Sequence, residues 1–527
     1  MWAKIVFSLL VAWIVYSVRS WYRLRHIPGP LLASVSPFWM IKRLSTGRFV
    51  EHLKETSYQY GPLVRIGPND LLCTEPDTIR RMSAARSLYT KGDFYESGRV
   101  IPGYENVVSQ RNEAKHKELR AKMAGAFAGR ENGSLPGFEA SIDRQIQRLV
   151  SLINANYLSE IGFLRPFGLT AKAHFLTLDV ISETSFGAAF GYLQEDTDLY
   201  QFLEITDAAT PVMNLLAVVP MLTNALYSWP MRLLLPNTND RAGLGRLMGL
   251  AQGCVDERLS PGAKPGQDML QAFINSGMAY DDLVQQMFVQ IVAGSITTAA
   301  AIRHTLLALI STPSAYTCLQ KEIDQNIKSG RISSPVITDA EAEALPYLQA
   351  VIREGLRMWP PTTGFGSKQV PKGGDVICGY HVPEGTQIAQ NFTGMMRLKS
   401  IWGEDADAFR PERWLEAEAE GKVKLLNSVV DLDFGSGKYQ CLGKRLALME
   451  LNKVFVELLR RYNFALIDPQ NRVESKSGVF WVSSEVWLRV TRRYLVVCED
   501  NQKGATHHHS NQQRQALSRL FRRLDPH

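Results

Sequence analysis

Phe434-Gly435-Ser436-Gly437-Lys438-Tyr439-Gln440-Cys441-Leu442-Gly443 places a single cysteine in a glycine-rich turn. Directly after it, Lys444-Arg445-Leu446-Ala447-Leu448-Met449-Glu450-Leu451 repeats apolar residues at helical spacing, so Cys441 is expected just before a helix N-terminus. Unpaired amide N–H groups and the positive end of the helix dipole favour a thiolate there, and the thiolate is the form that ligates a metal. Gly435 and Gly437 can take the positive φ that a tight turn needs, and Gly443 omits the side chain that would hold a flat group off the backbone. A lone cysteine in such a turn is ordinarily just a buried residue; what decides the reading is the set of stretches around it.

Composition narrows the class. The chain has 527 residues, 45% of them apolar and 21% charged, and helical patterns run from about Arg144 to Pro313 without a linker, which predicts one large domain. Six cysteines, at 73, 254, 318, 378, 441 and 498, include no Cys-x-x-Cys pair, which argues against a disulfide framework or a zinc site and for a reducing compartment. The formal charge of +7 sits at the ends. Residues 1–25 carry four basic side chains and no acid, and 501–527 carry five against one, leaving −1 for residues 26–500. A surface that grips phosphates is therefore not expected, nor is nucleic-acid binding.

Phe434, Gly437, Cys441 and Gly443 match Phe-x-x-Gly-x-Arg-x-Cys-x-Gly, and the stretch resembles the haem-binding loop of the cytochrome P450 superfamily. Tyr439 stands where the family usually has arginine, with Lys438 beside it as a substitute cation. Further stretches follow in family order. His116-Lys117-Glu118-Leu119-Arg120 resembles the family's Trp-x-x-x-Arg helix; its i, i+4 spacing puts His116 and Arg120 on one face, and the resemblance implies that they meet haem propionates. Lys368 falls where the family often has a propionate-binding arginine. Asp281 to Ser311 is the longest helical candidate of the body, expected to be capped by Asp281 and Asp282 and closed by Pro313.

Within it, Ala293-Gly294-Ser295-Ile296-Thr297-Thr298 resembles the family's oxygen-binding groove, where Thr297 would assist proton delivery. Ile296 replaces the usual acid. Small residues here also suit close helix packing. Glu354 and Arg357 share a helix face and resemble the family's Glu-x-x-Arg pair, completed by Arg413 of Phe409-Arg410-Pro411-Glu412-Arg413-Trp414 as a structural network. Phe94 to Gln110 reads as a long loop, which the resemblance implies roofs the pocket, and Val479-Phe480-Trp481-Val482 as a hairpin whose tip lines it. Residues 140–275 read as helices interrupted at Pro211, Pro220, Pro230, Pro236, Pro261 and Pro265, and Thr338-Asp339-Ala340-Glu341 as a capping box.

At the N-terminus, Ile5 to Val18 is apolar apart from Ser8, Tyr16 and Ser17 and is followed by Trp21, Tyr22, Arg23 and Arg25. This predicts an uncleaved membrane anchor over 1–25, with the basic excess keeping the body, 26–500, in the cytosol. Residues 501–527, with His507-His508-His509, read as a disordered basic tail.

The resemblance runs from Pro28 to about Val497. It implies a mainly α fold with a small β region, haem b on Cys441, and a monomeric monooxygenase in the endoplasmic reticulum membrane. Such an enzyme oxidises a lipophilic small molecule with O2 and electrons from NADPH-cytochrome P450 reductase. The wording around Cys441 resembles filamentous-fungal members of secondary metabolism, and the lack of a basic cluster in the pocket segments favours a neutral substrate. Two other readings stay open: a haem-thiolate isomerase or dehydratase that needs no O2, motivated by Ile296, and a non-catalytic haem sensor.

Overall fold

The computed structural model describes residues 2–99, 104–128, 137–229, 231–470 and 475–493. The tail at 501–527 and a glycosylation pattern at Asn132-Gly133-Ser134 lie outside them. Met1–Arg492 form one compact unit, mainly helical with small sheets as the sequence predicts.

The central helix spans Tyr280–Ser311. Its side chains are apolar on nearly every face, so burial rather than amphipathicity stabilises it. It is long and apolar enough to cross a membrane, but 67% of its most apolar window is buried inside the protein, as befits a core helix. The expected caps are corrected: Ala279 is the N-cap and no side chain caps the end. Asp281 and Asp282 sit within the first turn, where their charge complements the helix dipole.

Helices Leu169–Phe186, Pro346–Met358 and Lys444–Leu459 pack around this core. Gly294 lets the Leu169–Phe186 helix approach closely, since a Cβ there would lie 2.7 Å from Cγ1 of Ile181. The Thr177 hydroxyl donates to the Ser295 carbonyl at 3.1 Å beside it. Pro211 does not interrupt its helix, Phe202–Val218, whereas Pro220 opens the next one, Pro220–Leu226, after a bend of 111°.

A five-stranded sheet runs in the order Leu63–Arg65, Asp70–Cys73, Gln387–Gln390, Lys368–Gln369, Thr90–Lys91. Its last pairing sets Lys91 directly opposite Lys368. The segment expected as loop from Phe94 begins with a 3₁₀ turn at Asp93–Gly98.

Glu354, Arg357 and Arg413 form the expected network. Arg357 donates to both carboxylate oxygens of Glu354 at 2.8 Å, and Arg413 Nε to one of them at 3.0 Å, with all three buried. The N-terminal residues form one helix, Trp2–Leu24, whose end docks on the body. There Arg65 donates to the carbonyls of Ser20 and Trp21 at 3.0 and 3.3 Å.

Candidate active site

The cysteine loop closes as its glycines predict. Gly435 and Gly437 have φ of +69° and +54°, and the Cys441 amide donates to the Phe434 carbonyl at 2.6 Å. Gly443 is the N-cap of the Lys444–Leu459 helix. A Cβ on Gly443 would stand 3.9 Å from Cys441 Sγ. Burial pushes the Cys441 thiol up, while the amides of Gly443 and Lys444 and the Arg120 guanidinium pull it back. The helix terminus thus acts as expected, but against a larger desolvation cost; a bound metal ion deprotonates such a thiol outright.

Cys441 borders a cavity of about 780 Å³, toward the large end of the range for small-molecule sites. Phe434, Gly443, His116, Arg120, Lys368, Ile296 and Thr297 border the same cavity, as do Val479 to Val482 of the hairpin. Gly437 does not line it; its positive φ serves the turn. Ala293 is exposed although it sits in mid-helix, because its methyl faces this space. The Thr297 hydroxyl donates to the Ala293 carbonyl at 2.9 Å, which leaves its lone pairs free to accept from water.

One end of the cavity gathers cations. Lys368 is 1% exposed and its side chain donates to no described residue; its ammonium lies 3.3 Å from the centroid of the Tyr439 ring. Burial, then the charge of Lys91, hold it well below the usual lysine range. Lys91 donates to the carbonyls of Val107 and Val108 at 2.7 and 2.8 Å, and burial lowers it to about 7. His116 packs against Tyr439, ring centroids 5.4 Å apart and tilted by 42°, and is lowered to about 3 by burial and neighbouring cations, so it is neutral. Arg120 donates to the Gln440 carbonyl at 2.7 Å.

Two buried lysines opposite one another across a strand pair repel, and the acids whose charge reaches Lys91, Glu113 and Glu105, are otherwise engaged, Glu105 with Arg99 at 2.8 Å. The Tyr439 hydroxyl donates to Glu113 at 2.5 Å, and Lys438 donates to Glu113 at 2.9 Å and to the carbonyls of Ser87 and Tyr89. Lys438 is therefore turned away from the cavity wall and does not supply the substitute cation expected of it. A thiol open to the cavity, with under-partnered buried cations at one end, fits a flat dianionic group carrying a metal.

Sequence reading missed Lys91, Glu450 and Arg303. Glu450 lines the cavity from the helix after the loop, with one carboxyl oxygen buried and unpartnered, and burial holds it well above the usual carboxylate range. Its signal was an acid set between Met449 and Leu451 in a largely apolar helix.

The sequence signature described as Cytochrome P450 matches residues 28–486. The cytochrome P450 monooxygenase ABA1 of Pyricularia oryzae is 38% identical over 504 residues, 94% of this chain and 98% of that protein. The cytochrome P450 monooxygenase aba1 of Botryotinia fuckeliana is 37% identical over 474 residues, covering 89% and 92%. That of Penicillium aethiopicum named gsfF is 28% identical over 507 residues, covering 93% and 97%. The chain accordingly belongs to the cytochrome P450 family, as an enzyme of its monooxygenase class with haem b as cofactor.

Proposed function

We propose that the protein inserts one oxygen atom from O2 into a lipophilic small molecule of fungal secondary metabolism, with electrons from NADPH-cytochrome P450 reductase. The observation that carries this reading is one cavity bordered by both Cys441 and Thr297 and walled largely by apolar side chains. Haem b, when bound, supplies the reduction of O2 and the oxygen transfer. Cys441 would hold its iron, and Lys91, Lys368, Arg120 and neutral His116 would hold its propionates. Bound carboxylates would restore the charge that burial removes from the two lysines, because an opposite charge at close range favours the ionised form. The apolar walls desolvate the substrate and exclude bulk water. Thr297, its proton parked on the Ala293 carbonyl, accepts a hydrogen bond from an ordered water and so holds a proton source at the wall. Ile296 contributes no acid.

Thr297→Ala is expected to lower product formed per NADPH by about tenfold or more, the scale of a lost proton relay, with the missing electrons recovered as hydrogen peroxide. Ile296→Asp should leave coupling unchanged or improve it. Measuring NADPH, O2, peroxide and product together in a reconstituted system checks both. Unchanged coupling in Thr297→Ala would remove Thr297 from the relay, and product formed without O2 would favour the isomerase reading.

We further propose that residues 1–25 anchor the enzyme in the endoplasmic reticulum membrane by a single pass, with a monomeric body in the cytosol. Supporting this, Phe7 and Val15 are exposed on the N-terminal helix, and Leu31, Phe38, Met221, Trp229 and Leu233 are strongly exposed nearby in the fold's N-terminal and 220–234 segments. Full-length protein should stay with carbonate-washed microsomes, and a variant lacking residues 1–25 should be released. Added protease should digest the body in sealed microsomes; protection would reverse the topology. Asn391-Phe392-Thr393 fits the acceptor pattern for glycosylation, but its asparagine is buried and donates to Ser57 Oγ at 2.9 Å, so it should carry no sugar in either topology.

A further inference from the structure

Arg303 is the one Lys, Arg, Asp or Glu between Leu283 and Ser311 of the central helix. It is 3% exposed and borders the cavity. It makes no hydrogen bond or ion pair with any described residue, and its Nε is buried without a partner. Val289, Val292, Ile296 and Ala300 precede it on the same helical stripe and line the same space. Arg303 lies six residues beyond Thr297, on the order of 9 Å along the helix. Its surroundings differ from the Lys91 and Lys368 end: Thr170 and His174 of the Leu169–Phe186 helix, Asp207, and Ser484 and Glu485 beyond the hairpin.

The acids whose charge reaches it do not neutralise it. Glu485 is occupied by the amides of Thr170, Ala171 and Val486 at 2.6, 3.1 and 2.9 Å, which caps the neighbouring helix. Asp207 forms no ion pair with Arg303, and burial raises its carboxyl. Burial lowers Arg303 only to about 10, so it remains charged at neutral pH. An isolated buried guanidinium is costly, and a planar fork of N–H donors is matched by a carboxylate, which accepts two of them side by side.

We propose that Arg303 is a substrate anchor, and that the substrate is a lipophilic carboxylic acid whose carboxylate pairs with Arg303 while its apolar skeleton extends past Ile296 and Thr297 toward Cys441. One cation suits one negative charge, and the remainder of the cavity is largely apolar. The inference rests on the cavity being the substrate site of the oxidation proposed above, and it replaces the neutral substrate expected from sequence with an acid.

Dodecanoic acid and methyl dodecanoate are the probes, titrated into the full-length ferric holoenzyme without reductase. Binding is read by the haem spin-state change and independently by calorimetry. Wild type should bind the acid about tenfold to a hundredfold more tightly than the ester, the scale of a charge-assisted hydrogen bond, and Arg303→Gln should erase that preference. Equal affinities in wild type, binding of neither probe, or a preference that survives Arg303→Gln would overturn the anchor. A second measurement separates it from a structural role: because Arg303 is unpaired, Arg303→Met should raise the thermal midpoint of the ligand-free enzyme, and a lowered midpoint would also overturn the proposal. Neither measurement needs turnover, so a failure of the monooxygenase reading would appear separately, as absent O2 consumption.

Discussion

Cys441→Ala is expected to abolish the red-shifted Soret band that thiolate ligation gives the reduced carbon-monoxide complex, and with it all reconstituted turnover. The fold should survive. The loop is closed by backbone bonds, Cys441 N–H to Phe434 and Gly435 N–H to Leu432 at 2.6 and 2.8 Å, and the thiol faces the cavity instead of filling the core. The variant should therefore keep its far-ultraviolet dichroism and still take up some haem through Lys91, Lys368 and Arg120. A thiolate band retained in Cys441→Ala would move the ligand to another cysteine. Cys73 is fully buried in a sheet strand away from the cavity lining, so it offers no ready alternative.

The cysteine loop is legible in sequence because each of its requirements is local: a turn, two positive φ angles, a helix start. Glu354 with Arg357 and the capping box at Thr338 are legible for the same reason, their partners lying within one helical turn. Lys91 is different. It lies in a two-residue strand, and its meaning comes only from the register that sets it opposite Lys368. Lys438 was misplaced because adjacency in sequence says nothing of direction, and Glu113 with two backbone carbonyls draws it away. Pro211 was read as a breaker, yet tertiary packing of the buried Phe202, Ile205 and Asn214 carries the helix through it. Arg303 could have been found: one charge in a long apolar helix has to be paired, functional or both, and only the three-dimensional arrangement shows that it is unpaired.

Glu354→Ala is expected to be the most destabilising substitution outside the haem contacts. The carboxylate accepts five hydrogen bonds, from Arg357 twice, from Arg413 at 3.0 Å, from the Arg410 amide at 2.8 Å and from Trp414 Nε1 at 3.1 Å. Removing it leaves Arg357 buried without a counter-ion and Arg413 with only the part-exposed Asp405 at 3.1 Å, which costs about 3–5 kcal/mol, a large part of a total stability of about 5–15 kcal/mol. Glu354→Gln, which keeps the acceptor and the shape, should cost less. Neutralising Arg357 as well should not rescue the fold, since its guanidinium also holds the carbonyls of Met396, Ala406 and Ala408 at 2.8, 2.7 and 2.9 Å; the Ala406 carbonyl would lose its partner, and the other two would keep only longer bonds from Arg397 and Arg413 at 3.4 and 3.3 Å. Urea midpoints of the holoenzyme would show this order, and a Glu354→Ala variant as stable as wild type would refute the network's role. The pH dependence has a definite sign. Burial alone would raise the Glu354 carboxyl, but Arg357 and Arg413 bring it net below the usual range. Its contribution is then complete above the unfolded value of about 4.3 and is lost as pH falls through the lower folded value. Wild type should consequently keep this part of its stability through mildly acidic pH, and the stability difference between wild type and Glu354→Gln should shrink only below that range.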